Sequence, residues 1–356
     1  MNVHVWTKLI LLTLFSCAEI KPLDQKQSPQ APKAEPKTVI DSDPDTETVI
    51  VKKVIEPLSL EKMPPQKLSQ KLDQYCHKID DYFARYKWGQ SFCHKYDWHH
   101  VRNSFLGNPI IWKVFGDETR EHANTTLILC GVHGDEITPV KFCFDVLKDL
   151  TENPEVIGDN LVIVAPLVTP DSFLKKYPTR TNARGIDVNR NFPTKDWEDK
   201  AISLWKNRYR SDKRRFPGKK PHSEHETVFQ INLIKLYNPQ KIISVHAPLT
   251  LIDYDGPAEG ESAGKQLLIQ MSDRAGKYKV NDYPFFTGSL GNWAGNERKI
   301  PTYTLELPNS DWTKTKKFFN IFRNAIHHAI AHDLHADVDD EEKVSKKKNK
   351  VDEPVL

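Results

Sequence analysis

Four short apolar runs limit the folds open to this chain: TTLILC (125–130), NLVIVAPLV (160–168), KIISV (241–245) and TYTLEL (302–307). They are rich in β-branched residues and shorter than an ordinary helix, so they read as strands. Between and after them lie amphipathic stretches with a helical pattern, at 136–150, 224–238, 262–277 and 314–334. In the first of these, Phe142, Val146 and Leu150 fall along one face. Ser223 with Glu226 has the spacing of a capping box at the head of the second. Upstream, residues 97–117 read as a hairpin turning at Leu106-Gly107-Asn108. Leu72, Tyr75, Ile79 and Phe83 mark an amphipathic helix before it. The alternation predicts an α/β domain with a mixed, mostly parallel sheet flanked by helices on both faces.

The chemistry sits where those runs end. GVHGDE (131–136) follows the first and carries His133 and Glu136, SVHAP (244–248) completes the third with His246, and Glu306 lies inside the fourth. GIDVNRNFP (185–193) places Asn189 beside Arg190. In an open α/β sheet, sites form at the carboxyl ends of strands, so these distant positions are expected to converge. Two imidazoles and one carboxylate make a three-ligand zinc site with a fourth position open to water. A further carboxylate can act as base, and an arginine beside an amide can hold a substrate carboxylate. In a chain with 14 histidines a His-x-x-Glu pair arises by chance, so the shared placement is what carries the reading. A rival set, His328, His332 and His335, shares one face of the last helix. It is read as an exposed polar face, because no base or strand end accompanies it.

At these residues the chain resembles the zinc metallocarboxypeptidases, over about residues 96–335. The resemblance implies one zinc per chain on His133, Glu136 and His246, with Glu306 as general base. It implies that Asn189 and Arg190 grip a free carboxylate, helped by Arg180. FPGKKPHSEHET (216–227), HAPLTLIDYDGPA (246–258) and GSLGNWAGNERKIPTYTLELP (288–308) look like the murein-peptide amidase branch. That likeness implies hydrolysis of peptidoglycan stem peptides at or next to the bond from D-glutamate to meso-diaminopimelate. His225 replaces the proline usual in that branch, and Cys130 a frequent glycine. No residue stands out as the tyrosine that caps the site in digestive carboxypeptidases. Asp253 and Asp255 are candidates for reading the diaminopimelate ammonium, or for ordinary turn chemistry around Asp-Gly. Three other functions stay open: a carboxypeptidase for protein C-termini, an acylamino-acid deacylase, and a non-catalytic wall-binding lipoprotein. The last predicts loss of a ligand or the base, and all four residues are present.

The ends of the chain differ from its middle. Lys8 precedes LILLTLF (9–15), an apolar segment too short to span a bilayer and suited to a signal peptide. Leu14-Phe15-Ser16-Cys17 resembles a bacterial lipoprotein box, which makes residues 1–17 a signal and Cys17 the lipidated residue. Ala18 then favours the outer membrane, facing the periplasm; an ordinary secretory signal is the alternative. Residues 18–66, rich in Pro, Lys, Asp and Gln, read as a disordered tether that spans roughly 40 Å. A helical segment (67–95), the catalytic domain (96–335) and a disordered charged tail (336–356) complete the order. In that compartment a Cys76–Cys93 disulfide is expected. Cys130 and Cys143 lie in apolar surroundings and read as buried free thiols. A net charge of +3, without a basic face interleaved with aromatics, gives no reason to expect nucleic acid. The enzyme is expected to be a monomer.

Overall fold

The computed structural model describes residues 65–122, 124–258 and 263–334. The expected signal, Cys17, the tether up to residue 64, His335 and the charged tail lie outside them.

Eight strands form one sheet: β1 (His99–Asn103), β2 (Pro109–Phe115), β3 (Thr125–Leu129), β4 (Leu161–Ala165), β5 (Lys241–His246), β6 (Leu251–Tyr254), β7 (Val280–Asn281) and β8 (Thr302–Glu306). Their order is β1-β2-β4-β3-β5-β8-β6-β7. The central four, β4, β3, β5 and β8, run parallel, while β1, β2 and β6 add antiparallel pairings around them. The central runs are apolar at nearly every position because the sheet is covered on both faces. The pleat then sorts successive side chains into two cores. Ile128, Val162, Val164, Ile243 and Leu305 face one core, and Leu127, Leu129, Ile163 and Ile242 face the other.

The first core lies under α1 (Pro65–Arg85), α2 (Ile137–Glu152), α6 (Ala263–Arg274) and α7 (Thr315–Ala331). The N-terminal helical segment therefore shares its core with the catalytic domain. Tyr75, Ile79 and Phe83 of α1 are buried there, and Phe83 meets Phe144 of α2 at 5.1 Å between ring centres. A disulfide joins Cys76 to Cys93. The second core lies under α5 (His225–Tyr237) and the segments around Val188 and Trp293. Two further helices, α3 (Pro170–Phe173) and α4 (Trp197–Asn207), lie in the long β4–β5 connection.

Several expectations are corrected. Cys130 and Cys143 are bonded to each other rather than free. Cys130 ends β3 and Cys143 faces down from α2 onto it, which brings their Cα atoms to 6.2 Å, inside disulfide range. The capping box at Ser223 and Glu226 does not form. Glu224 occupies the N-cap of α5 without a side-chain cap, Ser223 Oγ donates to Glu224 Oε1, and Glu226 Oε2 accepts from Asn182 Nδ2 at 3.0 Å. Asp253, a candidate for turn chemistry, lies instead in the strand Leu251–Tyr254, which pairs with β8. His328 is half-buried against α6, where Nε2 meets Gln270 Oε1, rather than lying on an exposed face.

The Cys130–Cys143 link is directly checkable. A proteolytic map of oxidised protein should contain a Cys130–Cys143 cross-linked peptide, and the double Cys→Ser variant should lose about 3 kcal/mol of stability. Two alkylatable thiols at these positions in native protein would contradict the fold at this point.

Candidate active site

The adjacency of β3 and β5 brings the distant residues together. His133 and Glu136 lie in the turn between β3 and α2, and Glu136 is the N-cap residue of that helix. The turn packs tightly on α3: a Cβ on Gly134 would stand 2.5 Å from backbone atoms of Ser172 and Phe173, so only glycine fits between these residues. His246 is the last residue of β5 and pairs in register with Glu306, the last of β8. All four side chains are buried or nearly so.

Glu136 is the hub. Its Oε1 meets His133 Nδ1 at 2.8 Å, and its Oε2 meets His246 Nδ1 at 2.9 Å. The outer nitrogens are held as well: His133 Nε2 by Asp187 Oδ1 at 3.0 Å, and His246 Nε2 by Ser244 Oγ at 3.0 Å. Both imidazoles therefore aim Nδ1 at one point. Ligand atoms of the three residues lie within 4.8 Å of one another. This donor set, with its outer nitrogens tied, fits a zinc ion on two Nδ1 atoms and one carboxylate. A second group of metal-binding size, Asp73, His77 and His94, lies at the surface, with Asp80 Oδ2 3.3 Å from His94 Nε2, and is far from the strand ends that carry the first. His328 and His332 form no such group among the described residues.

Electrostatics separates the carboxylates into two kinds. Burial works against the charge of Glu136 and Asp187. The His133 and His246 imidazoles outweigh it for Glu136, Arg180 and His133 outweigh it for Asp187, and both carboxyls are held below the usual range. Glu306, Asp253 and Asp255 go the other way. Burial raises all three, and Asp255 is pushed up to about 7, with Asp253 adding to the effect. Asp255 is thereby poised to hold a proton near neutral pH.

His133, Glu136, His246, Asp253, Asp255 and Glu306 line one cavity of about 470 Å³, with Asp187 buried behind it. Arg180 borders it, but its guanidinium is already engaged. Nε donates to Asp187 Oδ2 at 3.0 Å and Nη1 to Glu136 Oε1 at 3.1 Å. Arg190 differs. It is buried over the Phe286 ring, donates from Nη1 to Asn189 O, and its Nε has no hydrogen-bond partner. Asn189 Oδ1 accepts from Leu290 N at 2.8 Å, which leaves its amide NH2 as the group it can present. Asp253 and Asp255 also line the cavity, so their side chains are not spent on a turn. Asp253 Oδ1 accepts from Tyr283 N at 2.9 Å, and Asp255 Oδ2 from Thr304 Oγ1 at 2.5 Å. A Cβ on Gly291 would lie 2.4 Å from the Asp255 carboxyl, so the glycine admits the backbone to that group.

Against this geometry the chain was compared with known proteins. Residues 90–330 match the zinc carboxypeptidase family. The chain belongs to that family. It is 32% identical over 211 residues to murein peptide amidase A of Vibrio campbellii, covering 58% of this chain and 77% of that protein. It is 32% identical over 225 residues to murein peptide amidase A of Escherichia coli K12, covering 62% of this chain and 86% of that protein. Among solved structures, the carboxypeptidase A of Helicoverpa armigera shares the fold with a TM-score of 0.56 and 16% identity, over 75% of this chain and 73% of that one. This chain is accordingly a hydrolase of the zinc carboxypeptidase type.

Three residues of the site escaped the sequence reading. Asp187 stands in the quoted GIDVNRNFP segment and Ser244 in SVHAP, but their partners emerge only when the strands are placed. Tyr283, in the cavity wall, lies ahead of GSLGNWAGNE and carries no motif of its own.

Asp255 supplies a pH-dependent prediction. Its folded pKa is raised, so between about pH 4 and 7 the folded chain keeps a proton that the unfolded chain has lost. Its contribution to stability is present below that window and lost as pH rises through about 7. Asp255→Asn should raise stability at pH 8 by on the order of 2–4 kcal/mol and leave it unchanged at pH 4. Equal unfolding midpoints for the two proteins at pH 8 would remove Asp255 as a buried, strained acid.

Proposed function

We propose that this chain hydrolyses peptidoglycan stem peptides, at or next to the bond joining D-glutamate to meso-diaminopimelate. The observation that carries the reading is the combination inside one cavity. The buried Arg190 Nε lacks a partner, while Asp253 and Asp255 occupy the same wall. A leaving group with a carboxylate and, farther along, an ammonium answers both. Diaminopimelate has that chemistry, and the two relatives are named for murein peptides.

The roles follow from position. His133, Glu136 and His246 hold zinc. Zinc, when bound, acidifies water and polarises a carbonyl. Glu306, raised by burial, accepts the proton of the attacking water and delivers it to the leaving amine. Leu249 N donates to Glu306 Oε2 at 3.3 Å and keeps the carboxyl aimed. Arg190 and the Asn189 amide receive the leaving-side carboxylate, with a planar guanidinium suited to that task. Arg180 lines the same cavity and is assigned to help them, although its Nε and Nη1 are held by Asp187 and Glu136. Tyr283 is assigned as the tyrosine of the cavity wall. The N-terminal reading joins this account: a lipid on Cys17 would place the enzyme in the bacterial periplasm, anchored to the outer membrane and reaching the wall on its tether.

The test is digestion of defined tri-, tetra- and pentapeptide muropeptides, with products identified by mass. Release of free diaminopimelate from the tripeptide, abolished by Glu306→Gln with zinc content intact, is the expected result. A drop in kcat of roughly three orders of magnitude or more is expected for that variant. Release of D-alanine would move the cut one residue along. Inertness towards all muropeptides, with activity on protein C-termini, would replace this substrate with the carboxypeptidase alternative.

A further inference from the structure

The pattern of the catalytic centre, one carboxylate between two imidazoles, recurs on the surface. Asp73 and His77 stand four residues apart on α1, so their side chains meet on its outer face. His94 joins them from the single helical turn Cys93–Lys95. Asp73 Oδ1 lies 3.3 Å from His94 Nδ1, and Asp73 Oδ2 lies 3.6 Å from His77 Nε2. The two rings are 4.7 Å apart between centres. One ligand atom from each of the three residues falls within 4.8 Å of the others.

The group is held from behind. Cys76 precedes His77 and Cys93 precedes His94, and these two cysteines are buried and bonded to each other. The disulfide therefore staples the two histidine-bearing segments side by side, whatever the rings do. His94 Nε2 faces Asp80 Oδ2 at 3.3 Å. Asp80 Oδ1 accepts from the buried Ser91 Oγ, which itself accepts from Cys93 N at 3.0 Å. An outer nitrogen tied to a fixed carboxylate orients a metal-binding imidazole, as Asp187 does for His133. Hydrogen bonding alone leaves a neutral His94 in conflict. It has one N–H, so serving Asp80 from Nε2 turns the Nδ1 lone pair towards an Asp73 oxygen. A cation between that nitrogen and that oxygen satisfies both.

We propose that Asp73, His77 and His94 form a second metal site, which takes zinc from solution weakly and reversibly. Two imidazoles and a carboxylate suit zinc, with water completing the coordination. Exposure and longer spacings place its affinity below that of the buried catalytic centre. Gel filtration in metal-free buffer should therefore empty it and leave the catalytic zinc. The site straddles the start of the family match at residue 90, with Asp73 and His77 ahead of it and His94 inside. A bound ion clamps α1 to the segment that leads into β1. The clamp shares no residue with the catalytic cavity and is independent of the wall-peptide reading.

The probe is zinc chloride, titrated calorimetrically into the gel-filtered full chain with its catalytic zinc in place. One further zinc should bind, with a Kd on the order of 10 µM. His77→Ala and His94→Ala should each weaken this event by about ten-fold or more. Asp80→Asn, which keeps all three ligands, should weaken it by about ten-fold through lost orientation. These side chains lie at the surface, so far-UV circular dichroism and catalytic zinc content should stay as in the wild type. The His133→Ala, His246→Ala variant should show the same weak event, because the two sites share no residue. No further binding to the wild type would mean that a second proton, not a metal, occupies His94, and would overturn the site. Binding that is indifferent to both His77→Ala and His94→Ala would place the zinc elsewhere and overturn it equally. Binding indifferent to Asp80→Asn would reject the supporting role of Asp80.

Discussion

One carboxylate shared between two imidazoles organises this molecule. Glu136 reaches His133 and His246 with its two oxygens, and each histidine's other nitrogen meets a fixed partner. The arrangement requires β3 and β5 to be neighbours, because the ligands come from the end of one strand and the turn after the other. It also requires the chain from residue 182 to 191 to lie against the turn, since Asp187 serves both His133 and Arg180. Buried amides fix that chain. Asn182 Oδ1 accepts from the backbone of Arg184 and Ile186, and its Nδ2 donates to Glu224 and Glu226. A substitution far from the metal position can therefore loosen the metal site.

The division of charge within the cavity matters as much as its shape. Glu136 and Asp187 sit among cations and stay ionised, which suits a ligand and the group that steadies it. Glu306 and Asp255 are buried with weaker compensation and are held towards their protonated forms. Arg190 is buried with its charge only partly answered, and burial lowers its pKa. These strained groups gain most from a ligand of opposite charge, so the energetic weak points of the fold coincide with its proposed contacts to substrate.

Much of this was legible in the sequence because strands buried on both faces leave uninterrupted apolar runs, and because polar residues at the ends of such runs stand out. His133, Glu136, His246 and Glu306 were visible for that reason. What was missed depends on tertiary contacts. Leu251–Tyr254 is short and contains an aspartate, so it lacked the signature of the central strands. Helix α4 buries only Trp197 and Ala201, too little for a clear apolar face. Cys130 and Cys143 sit in apolar surroundings that suit free thiols equally well; only the packing of α2 on β3 pairs them. Ser223 and Glu226 had the spacing of a capping box, yet buried polar groups of the 182–191 segment claimed the glutamate. Asp187 was indistinguishable from a loop aspartate until His133 was placed beside it.

The most direct test of the account is the metal itself, by elemental analysis and zinc-edge X-ray absorption on the purified full chain. The account predicts one zinc per chain, with two imidazole nitrogens at about 2.0–2.1 Å and a carboxylate oxygen, and loss of that zinc in the His133→Ala, His246→Ala double variant. Protein without zinc, or zinc retained in full by the double variant at the exposed Asp73, His77 and His94 group, would contradict it.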